Sequence, residues 1–345
     1  MNDLRVVIAT PLEPELVQLI RDADPRLEVV HRPELTGTPS ADWMVSAPTR
    51  GDAEQRAYEE YLDSAEALFG VPDQSGRELR RTADANPRLR WVHTIPAGGG
   101  QQVKAAGLDG EQLERILFTT SAGVHAQPLA EFALFGVLAG AKHLPRLRAA
   151  QAGRAWAGRD PMLLLGELTV AVVGLGSIGR RVAQLLAPLG ARVVGVHRHP
   201  VEAEGVSRVE PNAALGDVLS EADAVVLCLP GTAETHRLLS GEVLARAKHG
   251  LTVVNVGRGS TIDEAALVDA LRDGRVGGAV LDVFETEPLP TSSPLWTMEN
   301  VVISPHTAAI SEHEPRLIAE LFADNARRLL DGEPLRNRVN TREFY

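Results

Sequence analysis

A glycine-rich turn between two apolar segments constrains the fold of this chain more than any other feature. Residues 168–173 form a β-branched run of strand length, and residues 174–179, which read Gly-Leu-Gly-Ser-Ile-Gly, follow at once. Apolar residues then recur at helical spacing over 180–189. Gly190 closes this helix, and residues 192–196 are predicted to form a second strand.

The glycines of this turn have distinct places in the strand–turn–helix–strand unit. Gly174 suits the tight turn, Gly176 lets the backbone approach a pyrophosphate closely, and Gly179 packs the helix against the strand. Ser177 and Ile178 begin the helix, whose positive dipole end and free N–H groups face the same pyrophosphate. We therefore expect a dinucleotide site here, and the alternative is a tight structural turn.

Length and charge limit the remaining possibilities. At 345 residues the chain exceeds one typical core, so we expect two domains. Its net charge of −11 argues against a nucleic-acid partner. The single cysteine, Cys228, is expected in the core. We expect no secretory signal in residues 1–12. The most apolar helical run is too short to span a bilayer. We expect a soluble cytoplasmic protein with no membrane partner and no bound metal.

The N-terminal part alternates between strand and helix patterns. Strands are predicted over 5–9, 27–30, 43–45, 65–71 and 89–95, and helices over 13–21, 52–63 and 76–85. This alternation favours a smaller α/β domain with a parallel sheet. The most apolar helix, 128–144, suits a domain junction or a subunit interface. Residues 146–159 have little apolar periodicity, so we expect an arm or linker there.

The second half predicts a larger sheet. Strands are expected over 168–173, 192–196, 224–229, 251–256, 278–283 and 301–303, and helices over 212–219, 240–247 and 263–273. Six such strands form a doubly wound sheet with a ligand crevice at their carboxyl ends. We expect the final helix, 311–330, to complete the N-terminal domain and leave a cleft between the domains.

Chemically active side chains follow three strands on the crevice side. The three motifs are Asn255-Val-Gly-Arg-Gly259, Asp282-Val-Phe-Glu-Thr-Glu-Pro-Leu289 and Ser304-Pro-His306. Arg258 can bind a substrate carboxylate through its planar fork. His306 can give or take a proton near neutral pH, and Glu287 can orient it and stabilise its charged form. Each also has an ordinary alternative: a turn-stabilising arginine, a solvated carboxylate and a structural histidine.

Taken in order, these motifs resemble the D-isomer-specific 2-hydroxyacid dehydrogenase family. The likeness is strongest from Gly123 to Ala309 and weaker before Leu89. Its motifs here are Gly123-Val-His-Ala126, Ala130-Glu131, Leu229-Pro-Gly-Thr-Ala-Glu-Thr235, Asn255 to Gly259, Asp282 to Leu289 and Ser304 to Ala308. The resemblance implies two Rossmann-like doubly wound domains: a flavodoxin-like substrate domain, 1–121 with 309–345, and an NAD(P)-binding domain, 122–308.

The resemblance also implies roles for matching residues. Arg258 would bind the carboxylate and carbonyl of a 2-oxo acid, with His306 as the acid or base and Glu287 as its partner. Asp282 would hold the nicotinamide carboxamide. Other implied positions are Leu229, Pro230, Thr235, Val256 and Gly257 for the cofactor, and Ala97, Gly98 and Gly99, whose backbone N–H groups would grip the carboxylate. In that family, the apolar helix near Pro128 helps to form a homodimer.

One departure from the family pattern concerns the cofactor. Members that use NAD usually carry an aspartate at the end of the second strand, where this chain has His197, followed by Arg198 and His199. Without that carboxylate, and with Arg198 available for a 2′-phosphate, we expect a preference for NADP(H), with NAD(H) possible. The alternative is an exposed basic turn with no preference.

The resemblance implies an enzyme that reduces a small 2-oxo acid to the D-2-hydroxy acid. Glyoxylate and hydroxypyruvate come first as substrates, because the glycines around Ala97 give no sign of a large specific pocket. Two alternatives remain open at this point: a relative that oxidises formate or phosphite, and a dinucleotide-sensing interaction protein with little turnover.

Overall fold

The computed structural model describes residues 3–37, 48–156 and 158–344. The chain divides into two compact units, Met1–Val124 with Ser311–Tyr345, and His125–Ile310. Within the described ranges, no helix is both long and apolar enough to cross a membrane.

The first unit contains a parallel sheet in the order β2-β1-β3-β4-β5. Its described elements are β1 (Leu4–Ile8), α1 (Pro14–Asp22), β2 (Leu27–Val30), α2 (Pro33–Thr36), α3 (Asp52–Asp63), β3 (Ala67–Phe69), α4 (Gly76–Ala85), β4 (Trp91–Thr94), α5 (Gly100–Ala106), α6 (Gly110–Arg115), β5 (Leu117–Thr120) and a late helix, Glu314–Asp331. The strand predicted over 43–45 lies outside the described residues. The short helices α5 and α6 were not predicted, because they carry little apolar periodicity, and the four-residue strand β5 was not predicted either.

Aromatic stacking joins the late helix to this sheet. Trp91 of β4 stacks on Phe322 with ring centroids 4.4 Å apart, and Phe69 of β3 meets the same ring edge-on at 5.1 Å. Ile318 and Ala326 of that helix lie in the same buried cluster as β1. The chain therefore returns after the second unit to cover one face of the first sheet.

The second unit contains a parallel sheet in the order β12-β11-β10-β9-β6-β7-β8. Its described elements are α7 (Ala126–Ala141), α8 (Leu144–Ala152), β6 (Thr169–Val173), α9 (Ser177–Leu186), β7 (Arg192–Val196), β8 (Arg208–Glu210), α10 (Leu215–Glu221), β9 (Ala224–Leu227), α11 (Gly241–Ala245), β10 (Leu251–Asn255), α12 (Glu264–Arg272), β11 (Val276–Leu281) and β12 (Val301–Ile303), with the late helix numbered α13. Short 3₁₀ turns also occur within the units: one at 72–74 in the first unit, and five in the second, at 165–167, 187–189, 212–214, 259–261 and 294–297.

Two predictions for this unit were wrong in detail. The described sheet has seven strands where six were predicted, because β8 is an edge strand of only three half-exposed residues, two of them charged. Part of the expected linker over 146–159 is helical: α8 has no buried residue, so it lacks the apolar periodicity that would have revealed it.

The sheet order reverses direction next to β6. From β6 the chain proceeds to β7 and β8 on one side, and then from β9 to β12 on the other. The carboxyl ends of β6 and β9 are therefore a topological switch point, where doubly wound sheets bind their ligands. The central strands are fully buried, as expected for a parallel sheet covered on both faces.

The apolar helix α7 packs closely on this sheet. A Cβ atom at Gly136 would lie 2.6 Å from Val254, and one at Gly140 would overlap Thr252, so both glycines allow the helix to approach β10. This packing accounts for part of the apolar composition of α7. Phe135, on the same helix, remains 41% exposed.

Candidate active site

The glycine-rich turn has the geometry that a pyrophosphate site needs. Gly174 has φ +94°, a conformation that favours glycine. A Cβ at Gly179 would overlap the carbonyl oxygen of Gly174, so this glycine lets α9 pack against the turn. At Gly176, by contrast, a Cβ would meet nothing within 4 Å. The exposed backbone of Gly176 and Ser177 and the first turn of α9, which includes the half-buried Ile178, therefore form an open cradle.

The end of β7 presents a basic turn beside that cradle. His197 Nδ1 accepts a hydrogen bond from the backbone N–H of Leu175 at 3.4 Å. Burial lowers the pKa of His197, and the charges of His199, Arg198 and Arg180 lower this pKa further. The same turn therefore carries an arginine and a histidine whose neutral form is favoured, next to the glycine-rich turn.

The segment after β9 is folded into a turn by Thr235. Its hydroxyl donates to the carbonyl of Pro230 at 2.6 Å and accepts from the N–H of Thr232 at 2.9 Å. Leu229 is buried, whereas Pro230 is exposed. Thr235 thus acts within its own turn, and this role was not predicted.

The segment after β10 is held by Asn255, which sequence reasoning did not single out as a functional residue. This fully buried side chain accepts from Gly257 N–H at 3.0 Å and donates to the Arg258 carbonyl at 3.1 Å. Val256 and Gly257 are buried, and a Cβ at Gly257 would lie 2.6 Å from the Leu229 carbonyl oxygen. The backbone around Arg258 is therefore fixed, while its side chain is exposed.

Two further contacts connect Arg258 to neighbouring segments. A Cβ at Gly231 would lie 3.5 Å from Arg258 Cβ, so the segment after β9 runs alongside this arginine. A Cβ at Gly259 would overlap the backbone carbonyl of Phe284, so the segments after β10 and β11 touch there. Sheet order thus brings the three segments together at one edge of the sheet.

Asp282 organises the segment after β12. Its Oδ1 accepts from Ser304 Oγ at 2.6 Å, from Thr307 N–H at 2.9 Å and from Ala308 N–H at 3.0 Å. The residue is 1% exposed, so these donors satisfy a buried carboxylate oxygen. The three contacts flank His306, which adopts φ +58°. Asp282 therefore holds the backbone of the histidine in an otherwise unfavourable conformation.

Glu287 and His306 form the predicted pair. His306 Nδ1 lies 2.7 Å from Glu287 Oε2, and the other carboxylate oxygen accepts from Phe284 N–H at 2.9 Å. A carboxylate only accepts hydrogen bonds, so Nδ1 carries a proton and Nε2 is the nitrogen left for other chemistry. Both side chains are about one third to one half exposed and are therefore accessible to a ligand.

The glycine loop of the first unit follows β4 and leads into α5. Ala97 and Gly98 are exposed, whereas Gly99 is buried. Gly99 N–H donates to the Pro96 carbonyl at 3.1 Å, and a Cβ at Gly99 would overlap the Thr94 hydroxyl. A glycine is required at this position because the loop lies directly against Thr94.

Below this loop, a buried hydrogen-bond chain surrounds His93. Trp91 Nε1 donates to Thr119 Oγ1 at 2.9 Å, and that hydroxyl lies 2.8 Å from His93 Nδ1. His93 Nε2 lies 3.2 Å from Ser121 Oγ, which donates to the Thr94 carbonyl at 3.3 Å. Complete burial lowers the pKa of His93 to about 3, so the ring is neutral at pH 7.

A family comparison decides which kind of protein carries this site. Residues 134–308 match the family model of the D-isomer specific 2-hydroxyacid dehydrogenase NAD binding domain. The chain belongs to this family. It is accordingly an oxidoreductase that uses a nicotinamide dinucleotide and acts on the CH–OH group of 2-hydroxy acids.

Individual 2-hydroxyacid dehydrogenases agree with this assignment. The chain is 35% identical over 267 residues to a glyoxylate reductase of Korarchaeum cryptofilum, covering 74% of this chain and 78% of the relative. It is 33% identical over 291 residues to glyoxylate/hydroxypyruvate reductase B of Pectobacterium atrosepticum, covering 81% and 87%. A D-isomer specific 2-hydroxyacid dehydrogenase of Xanthobacter autotrophicus Py2, solved with NADPH and MES, superposes with a TM-score of 0.77 at 32% identity, covering 100% of both chains.

Proposed function

We propose that this dehydrogenase reduces a small 2-oxo acid to the D-2-hydroxy acid, with NADPH as its preferred reductant. Glyoxylate and hydroxypyruvate are the first candidate substrates, because they are named in the two relatives described above. The observation that carries the proposal is the Glu287–His306 pair, which lies beyond the carboxyl ends of β11 and β12.

His306 acts as the proton donor in this reaction. Glu287 binds Nδ1, so Nε2 is the position from which a proton reaches the substrate oxygen. When bound, NADPH would supply the hydride for C2 of the oxo acid. Arg258 binds the substrate carboxylate and offsets the negative charge that develops on the carbonyl oxygen. Asp282 keeps His306 in place through Ser304 and Thr307, in addition to the predicted contact with the nicotinamide carboxamide.

The open cradle fits the dinucleotide. Gly176, Ser177 and Ile178 would hold the pyrophosphate, and Leu229, Pro230, Val256 and Gly257 would line the bound cofactor. The basic turn after β7 would receive the 2′-phosphate through Arg198, with His197 beside it. A relative solved with NADPH supports this preference. With NADPH we expect a higher kcat/KM than with NADH, and Arg198→Ala should reduce the difference about tenfold.

The substrate loop belongs to the first unit. In this proposal the first unit, predicted over 1–121 and 309–345, binds substrate, and the second, predicted over 122–308, binds NAD(P). The backbone N–H groups of Ala97, Gly98 and Gly99 would contact the substrate carboxylate, and the small side chains favour a small substrate. We expect KM for glyoxylate or hydroxypyruvate to be lower than KM for 2-oxo acids with large side chains.

We further propose a cytoplasmic homodimer formed through α7 and α8. Exposed apolar side chains at Phe135, Leu147, Met162, Leu163 and Leu164 support an interface there. Light scattering coupled to size-exclusion chromatography should give twice the monomer mass. Leu147→Asp with Leu164→Asp should yield the monomer, and a wild-type monomer at micromolar concentration would refute this part.

The absorbance of the reduced cofactor at 340 nm tests the reaction. We expect NADPH oxidation with glyoxylate or hydroxypyruvate, and no reduction of NADP⁺ or NAD⁺ by formate or phosphite. Turnover of formate or phosphite alone would identify an enzyme of a different reaction. Tight cofactor binding without turnover on any substrate of the panel would favour a dinucleotide-sensing protein instead.

A further inference from the structure

An acidic side chain lies against the arginine assigned to the 2′-phosphate. Arg198 follows β7 and Glu234 follows β9, and the guanidinium nitrogen lies 3.4 Å from Glu234 Oε2. The two residues are 36 positions apart, and the sheet order, which places β7 and β9 on either side of β6, brings them close. Their side chains are 53% and 73% exposed, so both remain accessible to a bound cofactor.

The position of Glu234 is set by its own turn. The neighbouring Thr235 is buried, and its hydroxyl bonds to the backbone of Thr232 and Pro230, which fixes the turn that carries the carboxylate. Glu234 is therefore presented to Arg198 by an ordered segment.

We propose that Glu234 is a selectivity residue that limits the preference for NADPH by competing with the 2′-phosphate for Arg198. This inference rests on the proposed binding of the 2′-phosphate at Arg198. A bound 2′-phosphate carries about −1.5 to −2 charge and must displace or share the guanidinium with a carboxylate of the same sign. NADH has a hydroxyl at this position, so the Arg198–Glu234 pair persists when NADH binds. The chain thereby retains use of both cofactors.

Simple electrostatics indicates that Glu234 affects the binding of the 2′-phosphate at Arg198 more than it affects the stability of the fold. An exposed ion pair contributes little to folding, so separating Arg198 from Glu234 costs little. Two anionic groups around one guanidinium nevertheless repel each other at short range. Removing the charge of Glu234 should therefore leave stability unchanged and strengthen the binding of the phosphorylated cofactor alone.

Binding measurements on the whole protein test the proposal without turnover. In a fluorescence titration, Glu234→Gln should lower the Kd of NADPH about three- to tenfold and change that of NADH less than about twofold. Raising the salt concentration should shrink the effect, because exposed charges are screened. Glu285→Gln is the matched control: this exposed carboxylate lies in the segment after β11 and pairs with Arg237, which follows Glu234 in the segment after β9. It should leave both affinities unchanged.

The double variant Arg198→Ala/Glu234→Gln tests whether Glu234 changes NADPH affinity through Arg198. If Glu234 acts through Arg198, the gain in NADPH affinity on changing Glu234 disappears in the Arg198→Ala background. A gain of equal size in that background would overturn the proposal, as would an unchanged ratio of NADPH to NADH affinity in Glu234→Gln. A wild-type preference for NADH would refute the proposed NADPH preference. The proposal for Glu234 would stand even then if the ratio of NADPH affinity to NADH affinity rose in Glu234→Gln.

Discussion

Replacing Glu287 by glutamine probes the catalytic pair with little change in shape. In the structure, two donors face this carboxylate: the N–H of Phe284 at 2.9 Å and Nδ1 of His306 at 2.7 Å. Glutamine offers one acceptor oxygen and one NH₂ group, so it satisfies only one of them. If its NH₂ group faces the ring, Nδ1 must accept, and His306 is held in a neutral tautomer that is a poor acid. If its oxygen faces the ring, the anchor to Phe284 is lost.

The expected loss of activity follows from the hydrogen bond between Glu287 and His306. A hydrogen bond to a charged group contributes about 1.5 to 3 kcal/mol, and 1.4 kcal/mol corresponds to a factor of ten. Because His306 and Glu287 are partly exposed, we expect the lower part of this range, a loss of about ten- to thirtyfold in kcat/KM for 2-oxo acid reduction. Cofactor affinity should not change, because neither side chain belongs to the predicted cofactor site.

Glu285→Gln is again the matched control for this prediction. Glu285 lies in the same loop, pairs with Arg237 at 2.9 Å and has the same 34% side-chain exposure as Glu287. Steady-state reduction kinetics and NADPH titrations on both variants separate catalysis from loop folding. Equal losses in the two variants, or a Glu287→Gln variant within threefold of wild type, would refute a role for Glu287 in catalysis.

Three further predictions concern the cofactor turn, the anchor and the buried histidine. Gly176→Ala should keep the wild-type melting temperature but abolish NADPH binding, whereas Gly179→Ala should lower the free energy of unfolding by about 1 to 3 kcal/mol. Calorimetry and NADPH titration measure the two effects, and the same result for both variants would contradict the assigned glycine roles. Arg258→Lys should lose most activity, mainly through a higher substrate KM, because an ammonium group cannot make the planar two-point contact with a carboxylate. An unchanged kcat/KM would mean that another residue binds the substrate carboxylate. His93 has its pKa lowered to about 3 by burial, so the stability it contributes is complete above pH 6.5 and falls toward pH 3, by at most about 1.4 kcal/mol per pH unit. Urea unfolding of wild type and His93→Gln between pH 7 and 4 should show a shallower pH dependence in the variant, and parallel curves would refute this assignment.

The hydrogen-bond network that positions His306 was not accessible from the sequence. The family resemblance assigned Asp282 to the nicotinamide carboxamide, which stays a prediction; the structure adds that its Oδ1 accepts from Ser304 and from the backbone N–H groups of Thr307 and Ala308. Asn255 holds the backbone of Arg258 in a comparable way. The partners of Asp282 follow a different strand, so those contacts depend on register, whereas the contacts of Asn255 are local and depend on the orientation of its side chain.

The sequence by itself determined the features that are local. Hydrophobic runs, glycine positions and motif spacing were enough to predict most strands of both units, the turn at 174–179 and the placement of Arg258, Glu287 and His306 after strands. Backbone conformation and burial patterns follow from neighbouring residues, so they can be read along the chain. Short elements without a buried face, such as β8 and α8, lack such a pattern, and they were missed.

Only the tertiary structure decided which distant side chains meet. Sheet order places β7 and β9 on either side of β6, and this arrangement sets Glu234 against Arg198, where the sequence alone showed a basic turn and a separate motif. The same applies to His93, whose partners Thr119 and Ser121 come from the end of the neighbouring strand. Charge competition, burial and hydrogen bonding act through space, so their strength depends on the fold that brings these groups together.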